Sequence, residues 1–496
     1  MGIIQTIKNI FIRSKYAMTT ENLNSITDHP KIAISTAEYD RIKENLKYFT
    51  GRYPQVEYRD SNGDTAKRDF NHLPIGRTAA KKIASLVFNE QAEITATPQD
   101  VNTFLQEQLK NDRFVKNFER YLESCLALGG IAMRPYVDKD KIRVSFIQAP
   151  VFLPLQSNTQ DVSSAAIITK TTKSEGKKHK YYTLIELHEW NKDDTYMITN
   201  ELYRSENQSV VGSRVPLSEI YEDLQEIVEL KGLSRPIFTY LKPPGMNNKD
   251  INSPLGLSIF DNAKTTIDFL NTTYDEFMWE VKMGQRRIAV PDGMIKMNLR
   301  SEDGDIRFVK RFEAGQNVYH MLGSDEQGIG ITDLTTPIRA DDYIKAINEG
   351  LSIFEMQIGV SAGLFSFDGK SMKTATEIVS ENSDTYQMRN SIVALVEQSI
   401  KELCISICEL GKATKLYTGA IPKLDDITVN LDDGVFTDRN NELEYWTKAL
   451  ASGIVSREYA MKKVLGLPDN ELKKIMAQIN QEKPNPSEVD KVLYDE

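Results

Sequence analysis

The chain has 496 residues, 40% hydrophobic and 27% charged, with a formal net charge of -10. That length exceeds one ordinary core and implies two to four packed modules, and the composition excludes global disorder. The acidic balance excludes a protein that wraps nucleic acid with a broad basic face, which needs clustered Lys and Arg, but not one that nucleic acid merely passes.

The start, MGIIQT, fits the Met-Gly-x-x-x-Ser/Thr acylation pattern at Gly2 and Thr6. Ile3, Ile4, Ile7, Ile10 and Phe11 beside Lys8, Arg13 and Lys15 suit a short amphipathic helix, while Lys8 interrupts any signal-peptide core. Residues 1–34 read as a partner-docking or partly ordered arm rather than a lipid anchor. From Ser35 to Tyr48 the pattern is helical, with Tyr39, Ile42, Leu46 and Phe49 on one face. GRYPQVEYRDSNGDTAKRDF then reads as loop or irregular hairpin around Pro54 and Asn62-Gly63. Helices resume at Ile75 to Phe88 and from Val101 to Leu128, ending at Gly129-Gly130.

Ile131 to Tyr136, Ile142 to Ile147, Ala165 to Lys170, Tyr181 to Trp190 and Thr195 to Tyr203 are β-prone runs between polar turns. They predict a mostly antiparallel sheet packed beside helices, with the charged residues 170–180 as a hairpin tip. Pro243, Pro244 and Gly245 end that region.

Ser253-Pro254 reads as a helix start, and Phe260, Ala263, Ile267, Leu270, Tyr274, Phe277 and Val281 follow at spacings of three and four. A helix from Pro254 to Met283 would be about 45 Å long. Outside its apolar stripe stand Asp261, Asp268, Asp275, Glu276 and Glu280 against Lys264 and Lys282, which predicts an acidic face. A β-rich insertion follows, with RRIAVP, DIRFVKRF and NVYHML as strands. Ile344, Ile347, Leu351, Phe354 and Ile358 then mark a second helix.

Next comes GVSAGLFSFDGKSMKT, with Gly359, Ser361, Gly363, Gly369, Lys370 and Lys373. A longer helix follows, carrying Ala375, Ile378, Ile392, Val396, Ile400, Leu403, Ile407 and Leu410, with Gly411 expected to close it. Ile427 to Leu431 reads as a strand. Three short helices are predicted at Asn440 to Ala451, Arg457 to Val464 and Asn470 to Ile479, before a polar tail at 481–496.

The basic glycine loop raises the question of a nucleotide site. A Walker A loop needs four residues between its glycines and a preceding strand; here Leu364 to Asp368 make five, and the preceding element reads as a helix. His29, His72, His179, His188 and His320 show no metal-ligand spacing. Cys125, Cys404 and Cys408 are too few and too odd in number for a disulfide framework, and the last two, four apart with no His nearby, read as core residues. No run approaches the ~20 apolar residues of a membrane helix. The residues assemble no active site, and no cofactor is expected.

Three stretches carry a resemblance: SPLGLSIFDNAKTTIDFLNTTYDEF, then GVSAGLFSFDGKSMKTATEIVSENSDTYQ, then DDGVFTDRNNELEYWTKALASGIVSREYAMKKVLGL. Their sequence and order resemble the portal proteins of tailed bacteriophages, the head-to-tail connectors, in the branch typical of phages of Gram-positive bacteria. The likeness runs from about Ser35 to Asn480.

It implies an α+β portal fold: a wing at 35–252, stem helices at 253–284 and 340–358, a β-rich clip at 285–339, a tunnel loop at 359–373, a long wing helix and strand at 374–436, and an α-helical crown at 437–480. It also implies a non-enzymatic ring of identical subunits, commonly a dodecamer, at one capsid vertex of the virion, synthesised in the host cytoplasm. Its partners would be double-stranded DNA passing through, the terminase, major capsid and scaffolding proteins, and a head-completion adaptor. In that reading Gly359, Ser361, Gly363, Gly369, Lys370 and Lys373 belong to the loop facing DNA, with the glycines as hinges and the two lysines as transient phosphate contacts. Asp261, Asp268, Asp275, Glu276 and Glu280 would give the stem an acidic wall. An NTP-hydrolysing motor subunit and a ring adaptor without DNA contact remain as alternatives.

Overall fold

The computed structural model describes most of residues 22–479; residues 1–21, 33, 60–63, 89–91, 159–160, 177, 285–287, 292–295, 301–305, 311–318, 323–331, 334–335, 366–382, 432–438, 466–471, 473–474 and 480–496 lie outside the described residues. The chain forms two units, one of residues 1–369 with 384–431 and one of residues 370–383 with 432–496.

In the first unit a two-residue strand β1 (Asn22–Leu23) leads to α1 (Thr36–Thr50), the hairpin β2 (Val56–Arg59) and β3 (Thr65–Arg68), α2 (Ile75–Val87), β4 (Glu93–Ala96), α3 (Gln99–Asn111) and α4 (Phe114–Leu128). The small side chains Ala79, Ala80 and Ala84 of α2 are fully buried and let α4 approach closely, with Phe118 of α4 against Phe88 at 4.6 Å between rings. Gly129 closes α4 at φ 91, and a Cβ there would lie 2.5 Å from the carbonyl oxygen of Gly256. This glycine therefore serves both as a left-handed cap and as the crossing point for a later segment.

The β region is as expected, antiparallel throughout. It comprises β5 (Ile131–Asp138), β6 (Lys141–Gln148), β7 (Phe152–Ser157), β8 (Val162–Glu175), β9 (Lys178–Trp190), β10 (Tyr196–Ser205), β11 (Gly212–Val215), β12 (Ile227–Leu230) and β13 (Thr239–Leu241). Six of these strands join β1 in one seven-stranded sheet, in the order β1-β11-β10-β9-β8-β7 with β12 also on β10, and the other three pair as β13-β5-β6. The β8–β9 ladder runs from Ala165↔His188 to Glu175↔Lys178, so the charged stretch at 170–180 is the outer end of a long hairpin. From Asn22 onward the chain already belongs to this sheet: Leu23 and Ile32 are buried, and His29 Nε2 lies 3.0 Å from Glu201 Oε2.

The helix expected from Pro254 starts ten residues late, as α5 (Lys264–Met283), and is about 30 Å long rather than 45 Å. The backbone of the preceding segment is bonded elsewhere. Ile259 N–H donates to the carbonyl of Leu126 at the end of α4, and Gly256 carbonyl accepts from Arg41 Nη2 at 3.1 Å. Ser258 and Asp261 close a turn on themselves, Ser258 N–H donating to Asp261 Oδ2 at 2.9 Å.

Short strands follow: β14 (Ile288–Pro291), β15 (Lys296–Arg300), β16 (Ile306–Lys310), β17 (Tyr319–Leu322) and β18 (Thr332–Asp333). β14 lies between β17, parallel, and β18, antiparallel, while β15 pairs with β16. The chain returns in α6 (Ala340–Ile358), antiparallel to α5: Arg339 meets Glu280, Gly350 meets Leu270, and Gln357 meets Thr266. Ile347, Leu351, Phe354 and Ile358 are buried as expected, whereas Ile344 is exposed.

α7 (Ser383–Ala413), 31 residues, buries Ile392, Val396, Ile400, Leu403, Ile407 and Leu410; Ala375 and Ile378 lie outside the described residues. Gly411 does not close it. It sits within the helix, where an added Cβ would come 3.0 Å from Phe104 and Tyr417, and Lys415 takes the left-handed turn at φ 61. β19 (Ile427–Asn430) then pairs with β4. The second unit contains α8 (Arg439–Ala451) and α9 (Arg457–Leu465), joined through Trp446 against Tyr459 at 5.8 Å, and a helical turn at 475–479. Helix and sheet are thus mixed in an α+β arrangement.

Candidate functional site: paired helices and a glycine-rich loop

The acidic residues of α5 and the turn before it do not make one free wall. Asp268 and Asp275 lie seven residues apart on α5 and so share a face; they and Asp261, in the turn before the helix, dock on α1 and the β2–β3 hairpin. Asp261 is enclosed: Arg41 Nη1 lies 2.5 Å from Oδ2, Lys264 Nζ 2.9 Å from Oδ1, and Asn45 Nδ2 donates to Oδ2 at 3.0 Å. Burial alone would raise its pKa, but Arg41 and Lys264 outweigh that and hold it below the usual carboxylate range. Arg41 also pairs with Glu38 at 3.0 Å, and Glu38 accepts from Asn247 and Ser253.

Asp275 takes both nitrogens of the Arg68 fork at 2.7 Å together with the Asn71 amides, and Arg68 lowers its pKa. Asp268 is exposed and accepts from Tyr48 Oη at 2.9 Å. Glu280, at the far end of α5, pairs with Arg339 at 2.6 Å and accepts from Tyr343 Oη at 3.1 Å; Arg339 depresses its carboxyl to about 2. Glu276 is exposed. Three of the five carboxylates are therefore ion-paired within the chain. Lys264 lies on α5, but the other bases responsible, Arg41, Arg68 and Arg339, lie outside it, and a charge count along one helix cannot see them.

The glycine-rich loop leaves α6 through a tight cap. Gly359 adopts φ 76, its N–H donates to Met356 carbonyl, and Val360 N–H reaches back to Glu355 carbonyl at 3.0 Å. This is the Schellman pattern, with Val360 buried beneath it. Ser361 N–H donates to Thr385 Oγ1 at 2.9 Å and Thr385 N–H to Ser361 Oγ at 3.3 Å, both residues being buried. Glu355, fully buried on α6, accepts from Gly363 N–H at 2.7 Å and from Phe365 N–H. Lys82 of α2 donates to Leu364 carbonyl at 3.0 Å and lies over the Phe365 ring. Gly359 and Gly363, expected as hinges, are thus a helix cap and a carboxylate-bonded turn. Gly369, Lys370 and Lys373 lie outside the described residues.

Two amides that a phosphate cradle would offer to a nucleotide are here taken by the protein's own carboxylate. Sequence reasoning missed Glu355, although a charged residue four places after Leu351 on a core-facing helix was a usable signal. Thr385 and Lys82 gave none. Elsewhere, no group of three or more His, Cys, Asp or Glu suited to a metal occurs among the described residues. Cys125, Cys404 and Cys408 are buried free thiols, and burial pushes the Cys408 thiol up to about 12. No helix among the described residues is long and apolar enough to cross a membrane.

Comparison with curated proteins gives no match. Comparison with protein families does: residues 28–485 match the family described as phage portal protein, SPP1 Gp6-like. That stretch takes in every described strand but β1, the paired helices, the glycine-rich loop, α7 and the helices of the second unit, and the chain belongs to the phage portal protein family, which is structural rather than enzymatic.

Proposed function

We propose that this chain forms a ring, a dodecamer in the capsid, at one vertex of a phage head, where it is the channel through which double-stranded DNA is packaged and later ejected. The family match over residues 28–485 carries this reading. The antiparallel pair α5 and α6 is the stem, residues 285–339 between them are the clip that docks the terminase and later the head-completion adaptor, and residues 437–480 are the crown. Major capsid and scaffolding proteins surround the wing. A channel must let duplex DNA slide, and duplex DNA carries one negative charge per ~1.7 Å, so a broadly basic wall would hold it. The net charge of -10 and the internal neutralisation of Asp261, Asp275 and Glu280 suit a weakly interacting wall. Lys370 and Lys373 supply transient, sequence-independent phosphate contacts.

The expected outcome for Lys370→Glu with Lys373→Glu is rings of normal size but a several-fold fall in packaged DNA, scored by nuclease protection. Unchanged packaging would overturn the phosphate-contact role of these lysines.

A further inference from the structure

We propose that Ser361–Phe365 form a fixed root of the glycine-rich loop, clasped by Glu355, Thr385 and Lys82, and that this root keeps its bonds while DNA passes. This rests on the proposed role of the loop at the DNA channel.

The clasp has three independent points on three helices. A carboxylate with no exposed surface is heavily penalised unless it is hydrogen-bonded, and Glu355 of α6 meets that demand with two loop amides, Gly363 at 2.7 Å and Phe365. The turn that aims both amides at one carboxylate puts Gly363 at φ 92, a backbone few other residues adopt. On α7, the exchange between Ser361 and Thr385 joins two positions 24 residues apart, so the segment between them is closed at its base. From α2, Lys82 holds the Leu364 carbonyl at 3.0 Å. The start of α7 is itself tied down one turn later, where Arg389 donates to the carbonyls of Leu86 and Leu431 at 2.8 Å each. A pull on the root is therefore carried into the buried core of the first unit. Charge-assisted bonds to a buried carboxylate are among the stronger ones available to a loop.

Hydrogen exchange resolved to single amides on the full-length protein tests the clasp directly. In the wild type the Gly363 and Phe365 amides should exchange at least about tenfold more slowly than in Glu355→Ala; equally fast exchange in both would overturn the proposal. A second variant covers the case in which Glu355→Ala does not fold. In Ser361→Cys with Thr385→Cys, oxidation should lock the root without lowering DNA packaging below that of the same variant kept reduced, the three native cysteines being buried. Packaging lost on oxidation and regained on reduction would show that the root must open, and would overturn the proposal. Should the lysine reversals leave packaging unchanged while these amides stay slow, the DNA-contact reading fails and the clasp stands.

Discussion

Arg41 and Asp261 face each other across 220 positions of sequence, and the pair joins α1 to the turn that precedes α5. Breaking a buried, hydrogen-bonded ion pair by removing one partner leaves the other charge uncompensated and costs about 3–5 kcal/mol. Asp261→Ala should therefore lower stability by that amount, read from chemical denaturation; a loss below about 1 kcal/mol would mean the pair is not what holds the turn. The sign of its pH dependence follows from the shift. A carboxyl whose folded pKa is depressed contributes stability that is present above its unfolded pKa, about 3.9, and is lost as pH falls through the folded value. Asp261 and Asp275 are both depressed, so the wild type should lose stability below about pH 4, and Asp261→Ala should show a shallower acid dependence. Glu280 behaves the same way toward about 2. It lies at the surface, where solvent screens its pair with Arg339, so it adds little.

At the scale of elements, helix existence was readable from apolar spacing, and helix boundaries were set by partners the spacing does not contain. α6 and α7 bury the face their periodicity foretells, because a stripe recurring at three and four residues has one way to reach a core. α5 begins late because Leu126 and Arg41 take backbone groups that a helix from Pro254 would have used. Gly411, expected to end a helix, and Gly359, expected as a hinge, divide by geometry. Gly359 sits at φ 76 and closes α6, while Gly411 stays in the helix and yields room to Phe104. Gly359→Ala should accordingly cost about 1 kcal/mol in denaturant-induced unfolding, since it places a Cβ in the left-handed region. A neutral result would contradict the cap. The candidate site was legible only in part, because Ser361, Gly363 and the helix before them stood out in the sequence while Lys82 and Thr385 became relevant only through the fold.

For the whole molecule, the order of helical block, antiparallel sheet, long helix, β-rich insertion and second helix was available from pattern alone and recurs in the described elements, nearly all of which the family match over residues 28–485 spans. The arm was less legible, since strand pairing of Asn22–Leu23 with Gly212–Ser213 depends on an edge nearly two hundred residues away. A portal function is in the end a statement about assembly. Electron microscopy of the purified protein tests it most directly: uniform closed rings with a central hole wide enough for duplex DNA are expected. Protein that is folded and monodisperse yet forms no rings at any concentration would contradict it.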